Sequence, residues 1–148
     1  MITTYFLLAL FGIAMAHLEG VVVVYLRKAI GMIDADKDHT DALGKIPPRY
    51  LSIEKTREAA TIVMLVTLAL LVGGTVLDKL LVFLWTFAFW DLFYYLSLYL
   101  LIKWPPKLTA IDVLFLIPRP WIAPVWVPIG ISAVTIILIA FLYLASFI

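Results

Sequence analysis

Apolar positions fall into four long runs, each broken from the next by a short polar or proline-rich segment. About 20 consecutive apolar residues cross a bilayer as a helix. The runs at 5–26, 55–77, 80–102 and 126–148 reach that length and predict four transmembrane helices in one domain spanning 1–148. The first carries His17 and Glu19. The second is apolar from Ala59 and is entered through Glu54–Lys55–Thr56–Arg57–Glu58, with Ser52 the expected N-cap. The third carries Asp91, and the fourth carries no charge. Ala14–Met15–Ala16 has the look of a cleavage site, but no basic n-region precedes it and the apolar run continues past it.

Two connecting segments have their own pattern. Residues 27–53 form a polar loop ending in Pro47–Pro48, in which Asp34, Asp36, Asp38 and Asp41 alternate with Lys37 and His39. A calcium loop needs Gly at its sixth position and Glu at its twelfth; His39 and Lys45 stand there, so the segment reads as a solvated acidic loop. Residues 103–125 are proline-rich, with Pro105, Pro106, Pro118, Pro120 and Pro124. Thr109 with Asp112 reads as a capping box opening a short helix. Its eight residues would rise only about 12 Å, too little to span. The expected fold is therefore an all-α membrane protein with four transmembrane helices and a short re-entrant or interfacial helix between the third and fourth.

Charge orients this arrangement. Arg27, Lys28, Lys37, Lys45, Arg49, Lys55, Arg57, Lys103, Lys107 and Arg119 lie on one side and Lys79 on the other. The positive-inside bias places loops 27–53 and 103–125 in the cytoplasm and both termini outside. Trp104, Trp121 and Trp126 suit the interfacial belt.

Composition agrees and narrows the chemistry. Of the 148 residues, 65% are hydrophobic and 14% charged, whereas a soluble domain is about a quarter charged. The net charge of +1 leaves no electrostatic footprint for nucleic acid. Without cysteine there are no disulfides, thiolate metal sites or cysteine nucleophiles. The joint absence of Asn, Gln and Cys fits a thermophilic source as well as it fits a small apolar chain. No phosphate loop, Ser-His-Asp set or HExxH motif is present.

Ionisable residues inside spans cost about 2.5–3.5 kcal/mol each at mid-bilayer on insertion scales, so they are the candidate site. At 100° per residue, Glu54, Arg57, Glu58 and Thr61 share one stripe of the second helix, and Asp91, Tyr94 and Tyr95 share one of the third. The two stripes are expected to face each other. His17 and Glu19 are 200° apart and cannot address the same neighbour. Glu58 and Asp91 are the candidate acid/base groups. His17, Glu19, Arg57, Tyr94, Tyr95, Asp112 and Arg119 are the candidate ligand-binding groups. His17, Glu58 and Asp91 would be the ligands of a divalent metal, and His17 alone would ligate a haem. Bland readings stand beside these: Glu54 as a first-turn dipole partner, Asp112 as a cap, and Arg119 as a headgroup anchor. Gly73–Gly74 need only allow close packing.

The strings His17-LEGVVVVYL-Arg27, Arg57-EAA-Thr61, Phe89-WDLFY-Tyr95, Trp104–Pro105–Pro106 and Asp112-VLFLIPRP-Trp121 occur together. With them the chain resembles a group of small uncharacterised prokaryotic multi-pass membrane proteins, over all but the acidic loop and the final helix. The resemblance implies the architecture and no activity. Three functions fit the residues: a membrane-embedded site for a metal, cofactor or quinone-like lipid; an accessory subunit of a respiratory or photosynthetic complex; and a small ion- or proton-coupled transporter. Whether the site is enzymatic is open. The expected partners are the lipid bilayer and either other membrane subunits or further copies of the chain.

Overall fold

The computed structural model describes residues 2–31 and 47–145. The acidic residues between Asp34 and Asp41 lie outside the described residues. The elements run α1 Ile2–Ala29, α2 Pro48–Val72, α3 Val76–Ile102, β1 Ile111–Phe115, β2 Trp121–Pro124 and α4 Trp126–Ala145. The chain is mostly helical, as expected. Two helices, α1 and α4 over Trp126–Tyr143, are long and apolar enough to cross a membrane.

Four of the expected boundaries move. α2 starts at Pro48, not after Ser52, because a proline at the first helical position loses no hydrogen bond and brings a helical φ. Ser52 and Glu54 are therefore interior residues of the helix and not its cap and first turn. α2 stops at Val72, where the Gly73 N–H bonds the Ala69 carbonyl at 2.9 Å. A Cβ on Gly73 would lie 2.6 Å from the Lys79 backbone, so the turn closes tightly only with glycine there. Thr75 and Asp78 then form a capping box that opens α3. Leu77, expected at the end of the second span, belongs to the first turn of the third helix. The apolar stretch of α2 is thus 59–72, about 21 Å of helix. At the other end of the loop, α1 carries Arg27 and Lys28 in its last turn, so 27–29 and 48–53 are helix, not loop.

The segment expected to hold a short helix is a β-hairpin. β1 and β2 pair antiparallel, with Asp112 opposite Ala123 and Val113 opposite Ile122, and with an irregularity between Val113 and Phe115. The pairing continues beyond the strands through Val125 N–H to Ala110 O (2.9 Å) and Trp126 N–H to Leu108 O (2.9 Å). Ile111, Val113 and Phe115 are strand-favouring residues. Pro118 and Pro120 lack the N–H groups a continuing helix would need and occupy the connection instead. Asp112 is a strand residue and caps nothing. The hairpin packs back on α3 through Phe87 and Phe115, whose rings stack at 6.2 Å.

α1 and α3 run side by side in the same direction. Gly12, Ala16 and Gly20, spaced four apart, make one small-residue face on α1. A Cβ on Gly12 would lie 2.8 Å from the Thr86 carbonyl, and one on Gly20 3.0 Å from Ser97 Cβ. α2 runs the opposite way: Leu8 clusters with Ala69 and Val82, and Met15 and Ala16 with Leu65 and Trp90. α4 also opposes α3, with Ser132 against Asp91 near its start and Tyr143 against Tyr5 near its end. The bundle is up-down-up-down. The C-terminal ends of α1 and α3, the start of α2 and the hairpin therefore gather at one end. A third cluster there joins Val23, Tyr95, Leu98, Trp104 and Val125.

Candidate ligand-binding cavity

Glu19, Val23 and Arg27 recur every four residues and present one inward face of α1. Glu19 is buried, and an isolated buried carboxylate is costly. α2 supplies its partners: Arg57 Nη1 and the Thr61 hydroxyl both donate to the Glu19 carboxylate. Arg57 also holds Glu54, with Nε donating to Oε2 at 3.0 Å and Nη2 at 2.8 Å. Positions 54, 57 and 61 share a helix face, so a single arginine bridges two carboxylates and ties α2 to α1.

Three further carboxylates find partners on other elements. Glu58 accepts the backbone N–H groups of Leu116 (2.7 Å) and Ile117 (3.0 Å), fastening the hairpin to α2. Ser132 donates to Asp91 at 2.8 Å, linking α4 to α3. The Tyr95 hydroxyl donates to Asp112 at 3.1 Å, linking α3 to the hairpin. Burial pushes the Asp112 carboxyl up from its ordinary value, against the downward pull of Arg27 and the Tyr95 hydrogen bond.

These groups surround a cavity of about 140 Å³, room for a small polar group or several waters. Of the expected site residues, Glu19, Arg57, Glu58, Asp91, Tyr94, Tyr95 and Asp112 all line it. The two polar stripes meet at this cavity, but their direct hydrogen bonds run to α1, α4 and the hairpin.

His17 and Arg119 are elsewhere. His17 lies on the exposed side of α1, with Nδ1 3.4 Å from Ser97 Oγ. It points away from Glu19 for the reason the helical phase gives. Arg119 is exposed in the hairpin connection and does not line the cavity. Among the described residues no group of three or more His, Cys, Asp or Glu side chains is placed to hold a metal ion. The structure therefore does not gather His17, Glu58 and Asp91 as ligands. The carboxylates are spread over four elements, Glu19 and Glu54 sharing Arg57 and Glu58, Asp91 and Asp112 each held by a separate donor.

Sequence reasoning missed Arg27, Trp104 and Ser132. Arg27 counted in the sequence only toward the positive-inside bias, yet it is only 7% exposed and lines the cavity. Its guanidinium carbon lies 4.2 Å from the centre of the Trp104 ring, a cation–π stack. The available signal was its spacing of eight from Glu19. Trp104, expected in the interfacial belt, is instead buried at 2% exposure, and Ser132 carried no local signal; chain reversals bring both into place.

Comparison with protein-family models, with curated proteins and with solved structures returns no match. The functional reading rests on the geometry of the cavity.

Proposed function

We propose that this chain is a four-pass membrane protein that uses the cavity to hold a lipid-like, amphipathic ligand drawn from the surrounding bilayer. The observation that carries the reading is the convergence of five carboxylates and two arginines on one cavity in an otherwise apolar bundle. Ionisable groups in spanning helices face the bundle interior or a water-filled space and mark sites. The outward surface has the opposite character: Val76 is 84% exposed, Leu71 79%, Ile137 66% and Phe141 66%. Such a surface is at home in hydrocarbon and a liability in water.

The alternating helix directions support four passes. They carry Arg27, Lys28, Arg49, Lys55, Lys103 and Lys107 to the cavity end and leave Lys79 at the other. By the positive-inside bias the cavity then lies at the cytoplasmic side. α2 has a short apolar stretch, and its charged first turns reach headgroup level, where Arg49 and Lys55 are exposed. A ligand with a polar head and an apolar body matches a cavity lined by Glu19, Arg27 and Arg57 together with Leu26, Ile62 and Leu114.

Native mass spectrometry of the protein released from membranes in lipid nanodiscs tests this. The expected result is one small-molecule adduct per chain, lost in Ile62→Trp, which fills the cavity wall. An adduct-free protein released together with other polypeptides would overturn the reading in favour of a subunit role.

A further inference from the structure

The polar groups around the cavity are unevenly satisfied. Each carboxylate has a donor: Glu19 and Glu54 have Arg57, Glu58 has two backbone N–H groups, Asp91 has Ser132 and Asp112 has Tyr95. Arg27 has no such match among the described residues. Its Nη1 is buried and donates to no partner among the described residues. A buried guanidinium nitrogen left unpaired costs more than an ordinary lost hydrogen bond. Trp104 stacks on the guanidinium, and its indole is a donor that offers no acceptor. Arg27 attracts the Asp112 carboxyl, but that group accepts from the Tyr95 hydroxyl and makes no ion pair with Arg27 among the described residues. The unmet valence at this cavity is therefore a cationic donor.

We infer that Arg27, held flat against Trp104, is the seat for a phosphate oxyanion on the ligand. This rests on the cavity being a ligand site and specifies the ligand's head. A planar guanidinium offers a forked pair of N–H groups that fits two oxygens of a phosphate. Arg27 lies eight residues, about 12 Å, from Glu19 toward the C-terminal end of α1. That is headgroup level in the proposed orientation, so the phosphate enters near the surface while the ligand's apolar part meets Leu26, Leu114 and Ile62. Burial favours the protonated form of Asp112, which lowers the negative charge beside the seat. Both a phospholipid headgroup and a free phosphate compound carry this chemistry.

The test is calorimetric titration of delipidated full-length protein in maltoside micelles. Three probes are used: dihexanoyl phosphatidic acid, dihexanoylglycerol with the same chains and no phosphate, and inorganic phosphate. The phospholipid is expected to bind one to one, and Arg27→Met to weaken it about tenfold or more, the loss of a charge-assisted hydrogen bond. Dihexanoylglycerol is expected to bind more weakly and equally to both proteins. Trp104→Phe, which keeps a ring under the guanidinium, is expected to weaken the phospholipid a few-fold, and Arg27→Lys to fall between wild type and Arg27→Met. These two variants carry the test if circular dichroism shows Arg27→Met unfolded. Competition by inorganic phosphate at comparable affinity assigns the seat to free phosphate compounds; its absence assigns it to lipid. Equal phospholipid binding by wild type and the Arg27 variants, or phospholipid binding no tighter than dihexanoylglycerol, overturns the oxyanion seat and leaves the cavity as a site for neutral amphiphiles. Binding of none of the three probes overturns both.

Discussion

In the N-terminal half of α1, Gly12 and Ala16 bring the helix against α3, with a Gly12 Cβ position only 2.8 Å from the Thr86 carbonyl. Two to four turns further on, Glu19, Val23 and Arg27 occupy the equivalent inward positions, and the same bundle opens into a cavity of about 140 Å³. One end closes by contact between small residues and aliphatic clusters such as Leu8, Ala69 and Val82. The other is spanned by hydrogen bonds of fixed length between long side chains. The difference shows how a small bundle holds internal space without losing order. Dispersion contacts pull helices as close as their side chains permit. Charged groups must each find a partner at set geometry, and so they fix a separation.

Breaking the polar end at its centre gives the largest expected effect. Arg57→Met strips two carboxylates of their cation and leaves Glu19 buried beside Thr61 alone. Removing one member of a buried pair costs about 3–5 kcal/mol. SDS-driven unfolding from maltoside micelles measures it, and Glu19→Gln in the same chain should recover part of the loss. A full loss unchanged by the second substitution would mean that Arg57 acts through packing and not through its charge.

At the apolar end Gly12→Val forces a branched side chain against the α3 backbone. Overpacking of this kind costs about 1–3 kcal/mol. The same unfolding assay should show the loss, while phospholipid binding at the cavity stays within twofold of wild type. A coupled loss of binding would show that the two ends do not act independently.

The smallest effect is read as a pH slope. Asp112 has its carboxyl raised by burial, so the folded chain keeps that proton after the unfolded chain has lost its own. The unfolded state then binds fewer protons, and stability falls as pH rises from the ordinary carboxylate value upward. Asp112→Asn keeps an acceptor for the Tyr95 hydroxyl and removes this contribution. Its stability curve should be flatter than wild type over that range, and a parallel curve would show that another group sets the slope.

The long apolar runs dictated helices, because a run of that length can satisfy its backbone only internally, and α1 and α3 lie close to where hydropathy puts them. Helical phase alone separated Glu19 from His17: 200° on one helix sends one inward and the other out. It also grouped Arg57 with Thr61 and Asp91 with Tyr95, residues that do line one cavity. Hydropathy was blind to the turn at Gly73–Thr75, since Val72, Val76 and Leu77 are as apolar as the helices they separate, and only the capping box and the glycine contact break the run. The hairpin was hidden for a related reason. Asp112 three residues after Thr109 satisfies a helix-start pattern as well as a strand, and pairing with Trp121–Pro124, which no local rule contains, decides between them. Arg27 is the clearest case of a tertiary decision. In the sequence it counted only as one of the positive charges that orient the chain. Burial under Trp104, brought over by the end of α3, turns it into the cavity, with Nη1 left without a hydrogen-bond partner among the described residues.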